Sequence, residues 1–556
     1  MRAAVAAAMS TFLYTLLGLA AGSSLHCAER RDISPCSCRA QEPGQPLKVA
    51  CERVAGLSAV LAALAGRFPP ETEVALRVAY SELHDLPAHT FQQLGLSIHT
   101  LMLNHDNLSA LPEEAFSGLG RTEYLSLADN VLTLVPRAAL RHMPRLRTLD
   151  LGRGAVAALH HGDLQDLPEL QHLVLAGNAL ARLDAQSLPP ALRHLHLGRN
   201  RLSALNGTLR GLSQLEWLFV NGNQLAQLDG ELPAECAQLL LLHAASNRLR
   251  RLPAELRACA QLESLFAQGN ELEALGGALQ RARRLRRLHL SHNRIAQVSE
   301  DEFQELEALE ELQLGHNRLR ELNGSLLPLR ALRCLNLTHN RFERFSLREI
   351  LGLRRLFVID LSANNISALA GHVAQNVVDA ETRVVELRLE HNRLRALDGA
   401  LMGLHGLQRL NLSHNLLEQI MPDDLIGLEG LRVLDISFNR LKTLEETSKT
   451  FLPSLEGLFA SNNLLTSLQQ DFHGLPTLCW ADLANNQIET IGRELAAKTR
   501  CRIHGVLGTL RIYLYENPVR CDTNLIETVV AMEANFTKLY GLAPCVAENL
   551  TTSVAA

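Results

Sequence analysis

The chain has 556 residues, of which 47% are hydrophobic and 20% are charged, and these proportions exclude a largely disordered protein. The formal net charge is −5, so no overall basicity points to nucleic acid as a partner. Aromatic residues make up only 4% of the chain, so its core must be built mainly from aliphatic side chains.

Residues 1–24 have the composition of a secretory signal peptide. Arg2 supplies the positive start, the apolar stretch FLYTLLGLAA covers residues 12–21, and small residues at 22–24 offer a cleavage site. A retained membrane anchor is the alternative, which we disfavour because the stretch is short and Cys27 opens a cysteine cluster directly after it. No later segment has about 18 uninterrupted apolar residues, so no transmembrane segment is predicted. The sequence therefore predicts a secreted, extracellular protein.

One pattern recurs about nineteen times between residues 73 and 517. The segments LRHLHLGRNRLSAL (192–205), LRRLHLSHNRIAQV (285–298) and LRVLDISFNRLKTL (431–444) share the form LxxLxLxxNxLxxL. In LxL the side chains alternate, so each turn contributes a short strand with both Leu facing inward. The Asn that follows turns inward, where its amide satisfies backbone groups in the bend. No turn buries its Leu face alone, so stability comes from stacked neighbours.

This pattern resembles the leucine-rich repeat family, specifically its extracellular animal type. The resemblance implies an α/β fold, a leucine-rich repeat solenoid (horseshoe) with a parallel concave sheet and cysteine-rich caps. The predicted organisation is a signal peptide (1–24), an N-terminal cysteine cap (25–72), the repeats (73–517), and a C-terminal cap and tail (518–556). Ser81, Asp106 and Gly154 replace the repeated Asn. We expect the structure to be weakest at Asp106 and Gly154, because neither side chain has the donors of an amide.

Cysteines flank the repeats at both ends. Before the first turn, the resemblance implies the pairs Cys27–Cys38 and Cys36–Cys51; a zinc cluster is the alternative, disfavoured in an oxidising compartment. At the other end, NPVRCD (517–522) resembles the family's C-terminal cap.

The pairing of the remaining cysteines is less defined. Cys521 and Cys545 are expected to close the C-terminal cap. Thr523 stands where the family has a second Cys, and Cys501 is a candidate substitute. Cys236 and Cys259 occupy equivalent places in adjacent turns, which fits either a disulfide or two buried thiols. Cys334 and Cys479 have no evident partner.

Glycosylation acceptors of the form N-x-S/T accompany the predicted secretion. They are Asn107, Asn206, Asn323, Asn336, Asn365, Asn411, Asn535 and Asn549. Asn336 and Asn411 fall between the two Leu of LxL, so we expect them to point out of the concave sheet.

The outward positions of the sheet are the most informative, because the fold does not dictate them. Five consecutive turns have an aromatic or imidazole side chain at the outward position between the two Leu-type residues: His196, Phe219, His243, Phe266 and His289. Three further rings lie two places earlier in their own turns: His172, His194 and Trp217. In an aromatic-poor protein this concentration predicts a partner-binding interface, although the alternative is that the rings merely cover the sheet. The column's histidines recur on alternate turns, about 9 to 10 Å apart, which is too far to share an ion. No metal or cofactor is predicted.

No catalytic motif is found: there is no phosphate loop, no G-x-S-x-G and no H-E-x-x-H, so we expect no enzyme. A basic run comprises Arg281, Arg283, Arg284, Arg286 and Arg287. One interpretation is a glycosaminoglycan or matrix-binding edge. We favour the other, a solvated edge neutralised by Glu300, Asp301 and Glu302.

The resemblance extends to Toll-type receptor ectodomains and to slit-type and chaoptin-type repeat proteins. It implies a non-enzymatic protein that binds an extracellular or cell-surface protein through its concave face, in adhesion, development or innate defence. A matrix glycan binder is the first alternative and an enzyme the second.

Overall fold

The computed structural model describes residues 27, 32–39, 45–350, 352–370, 383–503 and 505–542. The predicted signal peptide, Cys545 and Asn549 lie outside these residues. The chain divides into two compact units. Unit 1 extends to Leu249 and includes Pro253–Cys259, and unit 2 comprises Arg250–Leu252 and the described residues from Ala260 onward.

Unit 1 begins with an antiparallel strand pair and continues as a parallel sheet. The first pair is β1 (Cys36–Arg39) and β2 (Leu47–Glu52). The later strands are β3 (Glu73–Ala79), β4 (Ser97–Asn104), β5 (Tyr124–Ser126), β6 (Thr148–Asp150), β7 (Ala158–Leu159), β8 (His172–Val174), β9 (Arg182–Leu183), β10 (His194–His196), β11 (Trp217–Phe219) and β12 (Leu241–His243). Strands β7 and β9 form a separate parallel pair. The others pair in parallel in chain order from β2 to β12.

Unit 2 repeats the arrangement. Its strands are β13 (Ser264–Phe266), β14 (Arg287–His289), β15 (Glu311–Gln313), β16 (Cys334–Asn336), β17 (Arg344–Ser346), β18 (Val358–Asp360), β19 (Ala368–Ala370), β20 (Glu386–Arg388), β21 (Arg409–Asn411), β22 (Val433–Asp435), β23 (Gly457–Phe459), β24 (Ser467–Leu468), β25 (Trp480–Asp482), β26 (Thr490–Ile491), β27 (Arg502–Ile503), β28 (Val506–Leu507), β29 (Leu510–Tyr513) and β30 (Thr537–Tyr540). The pairs β17–β19, β24–β26 and β27–β28 stand apart from the main sheet. The remaining strands pair in parallel in chain order.

Helices are few among the described residues. The α-helices are α1 (Leu57–Leu64), α2 (Arg137–Leu140) and α3 (Thr523–Ala534). The 3-10 helices are Leu86–Ala88, Phe91–Leu94, Glu114–Phe116, Ala254–Ala258, Leu347–Ile350, Pro422–Asp424 and Glu445–Lys449. The segments that return the chain to the sheet are therefore mostly turns and 3-10 helices. The predicted fold class, a parallel-sheet solenoid, is confirmed.

The core consists of the inward-facing leucines of the pattern. The middle residues of successive strands, such as Leu173, Leu195 and Leu218, are 0 to 1% exposed. Full burial of one such side chain contributes about 1.5 to 3 kcal/mol relative to its exposed state. The residues on either side of each middle Leu face the opposite surface of the sheet, which we call the sheet face.

A ladder of asparagines closes the bend after each strand. The Nδ2 group of Asn200 donates hydrogen bonds to the carbonyl oxygens of Leu197 and, in the preceding turn, Leu175, both at 2.9 Å. Its Oδ1 accepts a hydrogen bond from the N–H of Leu180 at 3.0 Å. The same contacts recur at Asn223 in unit 1 and at Asn317 in unit 2. Each bond contributes roughly 0.5 to 1.5 kcal/mol, and its larger effect is to pair backbone groups in the bend that would otherwise be buried without a partner.

Asp106 interrupts this ladder. Its side chain is buried, and its Oδ1 accepts the N–H of Ser81 at 2.8 Å, but its Oδ2 has no hydrogen-bond partner in the described structure. Burial raises the pKa of the Asp106 carboxyl to about 7. At Gly154 the position has no side chain at all, so the donors and the acceptor of an amide are missing from the ladder there. At Asp106 the position is filled, but by a carboxyl group in place of the amide.

Four disulfides are present among the described residues. Cys27 pairs with Cys38 and Cys36 with Cys51, as the family resemblance implies. Cys236 pairs with Cys259, at a Cα–Cα distance of 4.8 Å, so the disulfide alternative is correct there.

The assignment of the C-terminal cysteines needs correction. Cys501 does not complete the cap, because it pairs with Cys479. These two residues lie 22 positions apart, about one repeat, just as Cys236 and Cys259 lie 23 apart. Cys521 is disulfide-bonded, and its predicted partner Cys545 lies outside the described residues. Cys334 is the free cysteine of the described chain.

A candidate interface on the sheet face

Three rings stack in a row across adjacent strands of unit 1. His172, His194 and Trp217 are the first residues of β8, β10 and β11, and the parallel register places them side by side. The ring centroids of His172 and His194 lie 4.3 Å apart, and those of His194 and Trp217 lie 4.1 Å apart with an interplanar angle of 2°. We call these three residues the stacked row.

Polar contacts hold the two histidines of the stacked row. The Thr148 Oγ1 atom lies 3.1 Å from His172 Nδ1, within hydrogen-bonding distance. His194 Nε2 lies 3.5 Å from one carboxylate oxygen of Glu216, and the other oxygen accepts a hydrogen bond from Arg193 at 3.1 Å. Trp217 ends the row and is 42% exposed.

A second row runs beside the first, two residues further along each strand. His196 and Phe219 have ring centroids 4.9 Å apart, and Phe219 meets His243 edge-on at 5.9 Å. Burial is the main cause that lowers the pKa values of His172, His194 and His196 below the ordinary histidine value. At neutral pH these imidazoles are therefore uncharged and act as apolar rings with one donor and one acceptor each.

The structure places the predicted interface residues in both units. His172, His194, His196, Trp217, Phe219 and His243 belong to unit 1. Phe266 and His289 belong to unit 2, where their rings meet edge-on at 4.8 Å. There, the guanidinium of Arg287 lies 5.9 Å from the Phe266 ring centroid, and His289 Nε2 lies 3.2 Å from Glu311. Among these eight residues, Trp217 alone is exposed, and the other seven are half-buried.

The repeat pattern identifies the family. The sequence model described as leucine rich repeat matches residues 96–156, 168–225, 283–342, 382–441 and 429–488, which together make up just over half of the chain. The chain belongs to the leucine-rich repeat family. No curated protein matches it by sequence.

Solved structures share the fold of this leucine-rich repeat protein. The Drosophila Toll–Spatzle complex, glycosylated form, matches with a TM-score of 0.69 and 20% identity, over 92% of this chain and 73% of that chain. The plant peptide hormone receptor RGFR1 in complex with RGF2 matches with a TM-score of 0.59 and 20% identity, over 88% and 80% of the two chains. The Leptospira interrogans protein LIC12759 matches with a TM-score of 0.51 and 25% identity, over 71% and 88%.

A second aromatic group on the sheet face was missed by the sequence analysis. Trp480 is the first residue of β25, as Trp217 is of β11, and it is 37% exposed. Its ring centroid lies 4.5 Å from that of Tyr513, which stacks on Tyr540 at 5.1 Å. Exposed aromatic residues therefore occur on the sheet face of both units. The shared register of the two tryptophans was the signal that would have found this group.

The basic run at residues 281–287 is largely engaged within the repeat protein. Arg283 forms an ion pair with Glu305 at 2.8 Å, and Arg287 donates to Ser264 Oγ at 3.1 Å. The acid that pairs with Arg283 is Glu305, which lies one turn further along the chain. Glu302, one of the three acids expected near the run, is buried and accepts the N–H of Gly277.

The structure gives a position to seven of the eight predicted glycosylation acceptors. The acceptors Asn107, Asn206, Asn323 and Asn535 are exposed, and Asn336, Asn365 and Asn411 are half-buried. Asn336 and Asn411 end β16 and β21 and lie on the sheet face of unit 2. Among the residues that the structure describes, no cluster of three or more potential metal ligands is found, and no helix has the length and apolar character needed to cross a membrane.

Proposed function

We propose that this leucine-rich repeat protein is a secreted, non-enzymatic recognition protein that binds a second protein on the sheet face of unit 1. The observation that carries the proposal is the stacked row, in which two half-buried neutral imidazoles support an exposed tryptophan. Large aromatic side chains at the centre of a contact, surrounded by polar groups, are typical of binding hot spots. Here the surrounding polar groups are the Arg193–Glu216 ion pair and Thr148.

The location outside the cell is supported by the disulfides. Four disulfides within the described chain are typical of an oxidising compartment and unusual in the cytosol. The solved structures of similar fold that contain protein ligands, Toll with Spatzle and RGFR1 with RGF2, support a protein as the partner class.

The choice of unit 1 over the Trp480 group rests on glycosylation. Glycans attached at Asn336 and Asn411 would lie on the sheet face of unit 2. The strands β8, β10, β11 and β12 contain no acceptor. A partner would therefore have unobstructed access to Trp217, and recognition in adhesion, development or innate defence would begin there.

Tryptophan fluorescence tests the location of the partner directly. Trp217 and Trp480 are the two tryptophans of the chain, so the Trp480→Phe variant leaves Trp217 as the sole reporter. The partner is first isolated by a pull-down of extracellular proteins with the secreted chain. We expect the bound partner to reduce acrylamide quenching of Trp217 at least twofold, because contact removes the ring from solvent.

The reciprocal variant, Trp217→Phe, is the matched control and reports on Trp480. Acrylamide quenching of Trp480 in this variant should be the same with and without the partner. The partner is added at a concentration that saturates its binding to the variant. Protection of Trp480 with no protection of Trp217 would place the partner on unit 2 and refute the proposed site.

A further inference from the structure

An arginine-lined groove on unit 2 has no role in the proposed protein interface. It has a volume of about 420 Å³ and is lined by Arg333, Arg354, Arg355 and Arg383 around Phe357. An adjoining groove of about 760 Å³ shares Arg354 and Arg355 and adds Arg330 and Leu327. Together they present five exposed arginines against two glutamates, Glu307 and Glu310.

The repeat brings these residues together from three turns. Arg333 immediately precedes β16 and Phe357 immediately precedes β18, and the Phe357 N–H donates to the Arg333 carbonyl at 2.8 Å. Arg383 lies three residues before β20, the next strand of the sheet. Adjacent strands are about 4.8 Å apart, so these arginines form one continuous basic strip at the edge of the sheet where the strands begin.

Four of the five arginines of this strip form no ion pair within the described residues. They are Arg330, Arg333, Arg355 and Arg383. Elsewhere in unit 2, Arg388 has a close acidic partner in Glu386 and Arg294 has one in Glu271. Like charges gathered this closely repel one another, and an anionic ligand would relieve that repulsion. Guanidinium groups are suited to such ligands because they bind planar oxyanion faces through two parallel hydrogen bonds.

We propose that this groove binds a sulfated oligosaccharide. The apolar part of the lining favours a sugar over a simple anion, because Phe357 is 51% exposed and Leu327 is 49% exposed beside the guanidinium groups. The carbon face of a pyranose ring packs on such a surface while its sulfates reach the arginines. A groove that is open and crosses several turns fits an extended polymer, and sulfated polymers occur outside the cell, where the disulfides indicate that the protein belongs. The site is independent of the sheet face of unit 1.

This assignment moves the anion site away from the run at residues 281–287. Arg283 and Arg287 of that run already have partners in the protein, as described above. Arg281 and Arg286 are exposed and supply a matched control of equal charge.

The test is the affinity of the secreted chain for a heparin-derived hexasaccharide at physiological salt, measured by calorimetry. The double variant Arg333→Gln, Arg355→Gln should bind at least tenfold more weakly, and Phe357→Ala should also weaken binding. The control double variant Arg281→Gln, Arg286→Gln removes the same charge and should change affinity less than about threefold. All these side chains are exposed, so folding should be little affected, usually within about 0.5 kcal/mol.

Two further probes distinguish the ligand classes. The desulfated hexasaccharide should not bind, and a glutamate oligomer of equal charge should bind at least tenfold more weakly than the sulfated sugar. Equal losses in the two double variants would mean that only overall charge matters, and the groove would not be the site. Equal or tighter binding of the glutamate oligomer would make the ligand an acidic protein segment, and the absence of any binding by the parent chain would refute the site altogether.

Discussion

Replacing Asp106 with asparagine is expected to raise the free energy of unfolding by about 2 to 4 kcal/mol at pH 8. Asp106 Oδ2 is buried without a hydrogen-bond partner, whereas the amide of Asn130, one turn later, donates to the carbonyl oxygens of Leu103 and Leu127. An asparagine at 106 supplies equivalent donors and carries no charge to bury. The reverse substitution, Asn130→Asp, is the matched control and should destabilise the chain.

The pH dependence gives this prediction a specific signature. The pKa of the Asp106 carboxyl is raised from 3.8 to about 7 in the folded chain, so folding favours the protonated form. The stability that this proton contributes is fully present below about pH 4 and is lost as the pH rises through about 7. Urea denaturation from pH 4 to pH 8 should therefore show a decline for the parent that is smaller in Asp106→Asn. Parallel curves for the two proteins would show that Asp106 is ionised and solvated in the fold.

Removal of the Cys36–Cys51 disulfide is expected to cost about 2 to 5 kcal/mol. The bond joins β1 to β2, and both cysteines are buried at the N-terminal end of the sheet. The Cys36 N–H donates to the carbonyl oxygen of Ile33, which is also fully buried. Without this disulfide, β1 has no covalent bond to β2, and the apolar end of the first parallel strands becomes exposed.

The variant Cys36→Ala, Cys51→Ala measures this effect through its melting temperature and its secreted yield. Cys334→Ala is the control for loss of a thiol, since Cys334 is not bonded, and it should behave like the parent. If both variants melt alike, the N-terminal disulfide does not stabilise the end of the sheet.

The parts of the fold that the sequence predicts are those that repeat. The LxL strands and the asparagine ladder recur in register, so the assignment of each turn is supported by the turns on either side. For the same reason, the sequence alone identifies Asp106 as a position where the ladder lacks its asparagine. The repeat spacing also predicts the Cys479–Cys501 disulfide, because two cysteines separated by one repeat lie on adjacent turns. The separation of Cys479 and Cys501, 22 residues, is within one residue of that between Cys236 and Cys259.

The features that escaped prediction are formed by stacking rather than by local sequence. Arg333, Arg355 and Arg383 belong to three turns and become one groove only when the sheet aligns them. The degree of exposure is also a property of the packed rings: His194 is half-buried because Trp217 lies on it at 4.1 Å. Outward-facing positions can be identified from the alternation, but how far neighbours cover them cannot.

The most direct test of the proposed interface is the affinity of the isolated partner for Trp217→Ala beside Trp480→Ala. The two tryptophans occupy the same repeat position and have similar exposure, 42% and 37%, so the two variants remove equal side chains from equivalent places. We expect Trp217→Ala to bind about 30-fold more weakly, the equivalent of about 2 kcal/mol for a hot-spot tryptophan. Trp480→Ala should bind within threefold of the parent. Unchanged affinity of a folded Trp217→Ala variant, or a larger loss in Trp480→Ala, would contradict a partner site on the sheet face of unit 1.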